Sequence, residues 1–303
     1  MNGIINVLKP PGMTSHDIIY FMRKRLKIKK IGHTGTLDPE AAGVLPVCVG
    51  KSTKVVQFIT DKKKKYRATI KFGVKTETYD KYGTVIETVA VNGIDMEKLQ
   101  NALKDFRGVI KQMPPIYSAI KVAGKKLYQY ALDEEAVLIQ EREVEIYSIE
   151  VVDYNNKDEV VIDIECSKGT YIRSICYDLG MKMGCGAAMW QLVRLESTPF
   201  AIQNSYTLEE IDKAVESGTI DNMLQSVDII FKELSMIEIK TTARSAAMNG
   251  CLIYGMGTRQ DIETYEDGIE TRIYCDEEFL GIGTIKFNSE ENRKYIKIDK
   301  LFV

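Results

Sequence analysis

Apolar residues recur at two different spacings along this chain, and the places where the spacing changes outline its elements. Ile18, Met22 and Leu26 fall at helical intervals behind Thr14-Ser15-His16-Asp17, which has the form of a capping box. Residues 66–74 alternate, with Ile70, Phe72 and Val74 on one face, and predict a strand. Asp95 stands where it can cap a helix that turns Leu99, Leu103 and Phe106 inward. Two strands follow near 143–153 and 159–166, the second with Val160, Ile162, Ile164 and Cys166 on a common face. A helix beginning near Tyr171 buries Ile172, Ile175 and Leu179. Thr207-Leu208-Glu209-Glu210 is a second capping box, and Gly218 suits the end of its helix. From about residue 235 the texture changes to short strands and glycine-rich turns (Gly250, Gly255, Gly257, Gly268, Gly281, Gly283), which predicts a small β-rich domain. Strands and helices follow one another without a regular βαβ period and without an internal repeat. The fold class is therefore α+β.

Composition fits a globular chain of one large domain or two unequal ones: 303 residues, 45% apolar and 28% charged. No apolar run approaches the roughly 18–20 residues that span a bilayer. The opening, Met1 to Lys9, lacks a basic lead and a small-residue cleavage site, so no signal peptide is expected. Six cysteines form no C-x-x-C pair and there are two histidines, His16 and His33. That usage argues against a zinc site and a disulfide framework, and the expected compartment is the cytoplasm.

Charge changes the picture more. The net charge is −2, yet residues 1–75 hold 16 Lys/Arg against 4 Asp/Glu. Such asymmetry suggests a basic face that follows a polyanion. The run Lys62-Lys63-Lys64-Lys65 alone fits a solvated surface equally well. Taken with Arg23, Lys24, Arg25, Lys27, Lys29 and Lys30, it favours phosphate binding. Gly50-Lys51-Ser52-Thr53 imitates the end of a phosphate-binding P-loop, but the glycine that motif needs five residues earlier is Leu45.

The chemistry concentrates in Gly32-His33-Thr34-Gly35-Thr36-Leu37-Asp38-Pro39, followed by Gly43-Val44-Leu45-Pro46-Val47. Pro39 pushes Asp38 toward extended backbone, which leaves a carboxylate on a constrained loop inside the basic third of the chain. An Asp before Pro also starts ordinary turns, so the spacing by itself leaves both readings open.

This segment, with Ala41-Ala42-Gly43-Val44-Leu45-Pro46-Val47, resembles the catalytic motif of the tRNA pseudouridine-55 synthases, the TruB family. Asn6 to Ser15 is similar to that family's opening K-P-x-G-x-T-S, and Lys65-Tyr66-Arg67-Ala68 to its strand with a base-stacking tyrosine. Met113-Pro114-Pro115-Ile116-Tyr117-Ser118-Ala119 resembles the start of its RNA-gripping thumb. Cys166 to Ser174 resembles its C-S-K-G-T-Y-I-R segment, and Gly184-Cys185-Gly186-Ala187 the G-C-G-A that follows. The motifs keep the family's order over about residues 3–200.

The resemblance implies a pseudouridine synthase fold, a mixed and largely antiparallel sheet flanked by helices and loops, over residues 1–232. It implies a thumb-like insertion at about 113–143 and a small PUA-like RNA-binding domain over 235–303, expected to hold RNA and to be removable without harm to the chemistry. It further implies isomerisation of a uridine in the T-loop of tRNA, position 55, after base flipping, without metal or cofactor, by a chain expected to be a monomer that binds the T-arm stem-loop. Carried over by position, Asp38 would be the nucleophile, Arg173 its orienting partner, Tyr66 the stacking ring and Tyr171 a hydroxyl beside the reacting base. His33 would fill the space the flipped uridine leaves, Leu192 would wall the pocket, and Lys9 would serve local structure or touch phosphate. The path itself, by attack at ribose C1′, at the base or through a glycal, stays open.

Departures from the pattern concern RNA contact. Residues 128–165 hold 12 acidic side chains against two basic, Ala188 stands where a histidine is common, and Leu192-Val193-Arg194 lacks one positive charge of the usual L-R-R. Two alternatives follow: a synthase of the same fold acting on another RNA or uridine, or a non-catalytic RNA-binding or RNA-folding protein.

Overall fold

The computed structural model describes residues 1–155 and 157–303. Its spine is a nine-stranded sheet that gathers segments from the first two thirds of the chain. Chain order runs β1 (Gly3–Lys9), α1 (Ser15–Leu26), β2 (Ile31–His33), β3 (Ala42–Val49), α2 (Val56–Thr60) and β4 (Lys64–Phe72). A small ribbon of β5 (Val74–Thr76) and β6 (Val85–Thr88) precedes α3 (Met96–Lys104) and β7 (Gly108–Gln112). The insertion that follows holds β8 (Lys121–Val122), β9 (Lys125–Lys126) and α4 (Leu127–Leu132). Then come β10 (Arg142–Tyr154), β11 (Glu159–Cys166), α5 (Ile172–Met183), β12 (Ala187–Ser197), β13 (Phe200–Ala201) and α6 (Leu208–Glu216).

In space the strands run β1-β3-β12-β4-β11-β10-β7, with β2 added beside β3 and β13 beside β12. All neighbours are antiparallel except β12 and β3, which meet in parallel only at Val193↔Ala42 and Arg194↔Gly43. β12 therefore joins two half-sheets, and its edge from 190 to 192 stays free of β3.

Local signals explain most of these elements. Thr14 and Asp17 close a reciprocal capping box on α1, and Thr207 and Glu210 do the same on α6. Asp95 accepts from the Lys98 amide at 3.0 Å and starts α3. The strand expected over 66–74 is shorter at its end. β4 stops at Phe72, Gly73 turns with φ +81°, and Val74 leaves the Ile70/Phe72 face for the ribbon. A Cβ on Gly73 would lie 2.4 Å from Val89 O, so the turn is tight as well as left-handed.

Three apolar clusters hold the sheet. α3 and α5 cover one face through Leu99, Leu103, Ile175 and Leu179, packed on Ile70, Phe72, Ile162 and Ile164. α1 and α6 cover Ile5, Val7, Leu45 and Val47 on β1 and β3. The opposite side of those two strands, with Ile4, Val44 and Cys48, meets Phe231, Ile282 and Phe302.

Ile282 lies in, and Phe302 directly follows, the C-terminal sheet of β14 (Ser235–Glu238), β15 (Ile253–Tyr254), β16 (Glu270–Cys275), β17 (Glu278–Asn288) and β18 (Arg293–Leu301). A short helix, α7 (Arg244–Met248), precedes β15. Its order is β14-β16-β17-β18-β15, with only β14 and β16 parallel. β17 runs 11 residues, longer than the short strands expected there. Phe58 on α2 packs edge-on against Phe231 and Phe302, and Phe279 stacks on Phe302. This shared core means that the tail is part of what keeps β1 and β3 dry. That packing adds a structural role to the RNA holding expected of the tail.

Among the described residues, no helix is long and apolar enough to cross a membrane.

Candidate active site

Asp38 sits on the loop between β2 and β3, at the mouth of the gap where β12 leaves β3. The loop is tied from four sides. Gly12 N donates to Pro39 O at 3.0 Å, and Leu37 N donates to Ser15 Oγ at 2.9 Å. Arg194, almost wholly buried, sends Nε to Val44 O at 2.7 Å and Nη2 to Gly35 O at 3.2 Å. Lys9 is fully enclosed, and its ammonium donates to Pro10 O, Met13 O and Pro39 O. Burial pulls the Lys9 pKa down to about 8, while those three oxygens hold its proton in place. With each N–H engaged, Lys9 serves local structure and has nothing left for a phosphate.

Gly43 explains the glycine after the loop. Its φ is +116°, and a Cβ there would stand 2.2 Å from Arg194 O, across the parallel junction of β3 and β12.

Arg173, on the first turn of α5, reaches Asp38 with two nitrogens: Nε to Oδ2 at 3.0 Å and Nη2 to Oδ1 at 3.1 Å. Such a side-on pair fixes the plane of the carboxylate. The guanidinium is 7% exposed and is itself braced, by Tyr117 O at 3.1 Å, Thr78 O at 3.3 Å and Asp80 Oδ2 at 3.6 Å. Asp38 keeps 38% of its side chain open to the cleft. The surrounding walls nevertheless desolvate it, and burial raises its pKa above the usual carboxylate value. Arg173 works against that shift and Asp80 adds to it.

The cleft holds about 670 Å³ and is lined by Asp38, Arg173, Asp80, Tyr82, Tyr117, Trp190 and Leu192, among others. Of the expected site residues, Asp38, Arg173 and Leu192 line it directly. Tyr66 lies on β4 opposite Arg194, half-buried, with its phenol pKa pushed up by burial. Tyr171 is the N-cap residue of α5; Gln112 holds its backbone from both sides, accepting from its N at 2.7 Å and donating to its O at 2.9 Å. Its phenol is also pushed up, chiefly by burial. His33 accepts from Gly35 N through Nδ1 at 3.3 Å, and burial lowers its pKa, with Arg194 adding to the effect. Its imidazole is neutral at pH 7.

Sequence reasoning did not single out Asp80, Thr78 or Tyr117, and it weighed Arg194 only for charge. A signal for Asp80 existed in Thr76-Glu77-Thr78-Tyr79-Asp80-Lys81-Tyr82-Gly83. Thr76 Oγ1 donates to Asp80 O and Thr78 Oγ1 to Asp80 Oδ1, both at 2.6 Å, while Tyr82 N donates to Oδ1 at 3.0 Å. The loop is built around that aspartate.

The lysine run looks different in space. Lys62 pairs with Glu233, Lys63 with Glu165 at 3.6 Å and Lys65 with Asp163 at 3.9 Å. Lys64 is buried and caps the carbonyls of Ile59, Thr60 and Lys62. Three of these four lysines thus face carboxylates of the protein at its surface, and the fourth is buried.

Comparison with known proteins agrees with this geometry. The profile of the TruB family pseudouridylate synthase N-terminal domain matches residues 23–172. That of the tRNA pseudouridylate synthase B C-terminal domain matches 173–232. The chain is 43% identical to the tRNA pseudouridine synthase B of Alkaliphilus oremlandii, over 99% of this chain and 98% of that one. It is 39% identical to the protein of the same name from Clostridioides difficile, over the whole of both. Among solved structures it is similar to a chain of an H/ACA RNP bound to a substrate RNA containing 2′-deoxyuridine. That match has 26% identity and a TM-score of 0.74, over 99% of this chain and 85% of that one. The chain thus belongs to the TruB family of pseudouridylate synthases.

Proposed function

We propose that this enzyme converts the uridine at position 55 in the T-loop of tRNA to pseudouridine, with Asp38 as the nucleophile. The observation that carries the reading is the Asp38–Arg173 pair: an oriented carboxylate opening into a cleft large enough for a flipped nucleotide. Full-length relatives bearing the name tRNA pseudouridine synthase B support tRNA as the substrate.

Isomerisation breaks the bond from uracil N1 to ribose C1′ and forms one from C5 to C1′. The hydrogen on C5 leaves as a proton and N1 takes one up, so no electrons are gained or lost. A carboxylate is ionised at neutral pH and needs no base to activate it. Arg173 keeps it aimed while the cleft excludes water. Leu192 gives the base an apolar wall, Tyr66 a face to stack on, and Tyr171 a hydroxyl near the ring. His33, neutral and placed at the loop's start, fills the gap in the RNA stack and moves no proton. The C-terminal sheet holds the rest of the tRNA.

The test is tritium release from tRNA labelled at uracil C5, compared with the same tRNA carrying cytidine at position 55. Release that depends on uridine 55 supports the reading. Release that persists without it assigns the enzyme another uridine, and no release from any tRNA removes the proposed reaction.

A further inference from the structure

Two lysine-rich segments lie in the first third of the chain, and the structure treats them in opposite ways. The 62–65 run is internally paired, as described. In 23–30, Arg23, Lys24, Lys27, Lys29 and Lys30 are all exposed, and among the described residues none has a carboxylate within 4.0 Å.

The shape of this second segment is fixed. α1 ends at Lys27 in the left-handed region, φ 55°, and Arg23 Nη2 donates to Ile31 O at 3.1 Å, which closes the turn against the helix. His16, Tyr20, Lys24 and Lys27 follow one another at intervals of four, four and three residues. They share the face of α1 opposite the buried Ile18, Ile19 and Met22. Tyr20 is 66% exposed there. A helix of 12 residues rises about 18 Å, so the strip is several phosphates long. Both its ends return to the loop that carries Asp38. Ser15 binds Leu37 at one end, and Lys29 and Lys30 lead straight into β2 at the other.

We propose that the outer face of α1 and the 27–30 turn form the track for the phosphate backbone of the RNA whose uridine enters the cleft. The inference rests on the RNA-modifying reading above and adds the path the RNA takes beside the cleft. Unpaired cations meet phosphate without giving up an ion pair, whereas Lys62, Lys63 and Lys65 would each exchange a surface ion pair for the phosphate contact. Tyr20 adds a ring face on which an exposed base can rest.

The test measures the Kd of the full-length chain for tRNA by filter retention at several salt concentrations. Two triple variants are compared: Lys24→Gln with Lys27→Gln and Lys29→Gln, and Lys62→Gln with Lys63→Gln and Lys65→Gln. Both lose three charges. The first is expected to raise Kd at least about tenfold and to flatten the slope of log affinity against log salt by roughly two to three, the loss of that many phosphate contacts. The second should change the slope by less than about one. Equal slopes for the two variants, or a greater loss in the second, would overturn the track. Thermal melts and each single replacement keep the comparison readable if one triple variant is unstable. Binding is read without turnover, so a wild type that binds tRNA but releases no tritium sinks the proposed reaction and leaves the track testable.

Discussion

Arg173 holds Asp38 through two nitrogens at once, at 3.0 and 3.1 Å, and turns its remaining N–H groups to Tyr117 O, Thr78 O and the Asp80 carboxylate. One side chain thereby links the loop after β2, the loop after β5, the base of the insertion and α5. The orientation of the Asp38 carboxylate depends on all four being in place.

Asp38→Asn keeps the shape and loses the carboxylate proposed as the nucleophile. Single-turnover tritium release should fall by at least about 10⁴-fold while the Kd for tRNA stays within about threefold. Activity within tenfold of wild type would remove Asp38 from the mechanism. Arg173→Lys keeps the charge but loses the planar fork, and a drop of about 10²-fold in rate is expected with little change in binding.

The pH dependence follows from the same pair. In the proposed reaction Asp38 must be ionised to attack, and burial raises its pKa above the ordinary 3.8. Activity is therefore expected to be lost as pH falls through the raised value, with the acid limb above 3.8. Asp80→Asn keeps the acceptor that Thr78 and Tyr82 use but deletes a negative charge. Removing a like charge lowers the Asp38 pKa, so the acid limb should move to lower pH. The rate at pH 7 should fall about 10-fold or more because Arg173 loses a brace. An acid limb unmoved in single-turnover pH profiles would show that Asp80 does not act on Asp38.

Lys9→Met separates structure from substrate contact. It leaves Pro10 O and Met13 O without the ammonium donor and Pro39 O with the Gly12 amide alone, which should cost about 1–3 kcal/mol in chemical unfolding. The salt slope of tRNA binding should not change, since no phosphate contact is lost. A flatter slope with normal stability would return Lys9 to the RNA.

Much of the fold was legible because its signals are local. The capping boxes at Thr14 and Thr207 span four residues each, and the alternation of 159–166 needs only its own strand. The end of β4 was misread because alternation continues through Gly73 in sequence while the backbone turns there. Within the site, Asp38 and Arg173 could be named from motif resemblance, and the structure sets them in contact across 135 residues of chain. Thr78 and Tyr117 meet the same arginine through backbone oxygens, across 95 and 56 residues. A carbonyl carries no residue-type signal, so that contact cannot be read from sequence. The partners of the lysine run are hidden for a related reason: its countercharges, Asp163, Glu165 and Glu233, lie 98, 102 and 171 residues away.

The C-terminal sheet should matter to the catalytic unit's stability as well as to RNA holding. Phe302 is 5% exposed and lies within 6.0 Å, centroid to centroid, of Phe58, Phe231 and Phe279. Those rings close the cluster that contains Val44 and Cys48 on β3, the strand leaving the Asp38 loop. Phe302→Ala should therefore cost about 3–5 kcal/mol in chemical unfolding, the usual range for a buried phenylalanine. Truncation after residue 232 removes Phe279, Ile282 and Phe302 together and exposes the apolar rings they cover. It should lower the melting temperature and the soluble yield, with loss of tRNA affinity as a second effect. The two effects separate by experiment. Lys297→Gln on β18 replaces an exposed side chain, leaves the aromatic cluster intact and tests RNA holding alone, through Kd at unchanged melting temperature. A soluble truncation with the melting temperature of the full chain would show that the aromatic cluster contributes nothing to the catalytic unit, and the sheet would then be a detachable RNA-holding module after all.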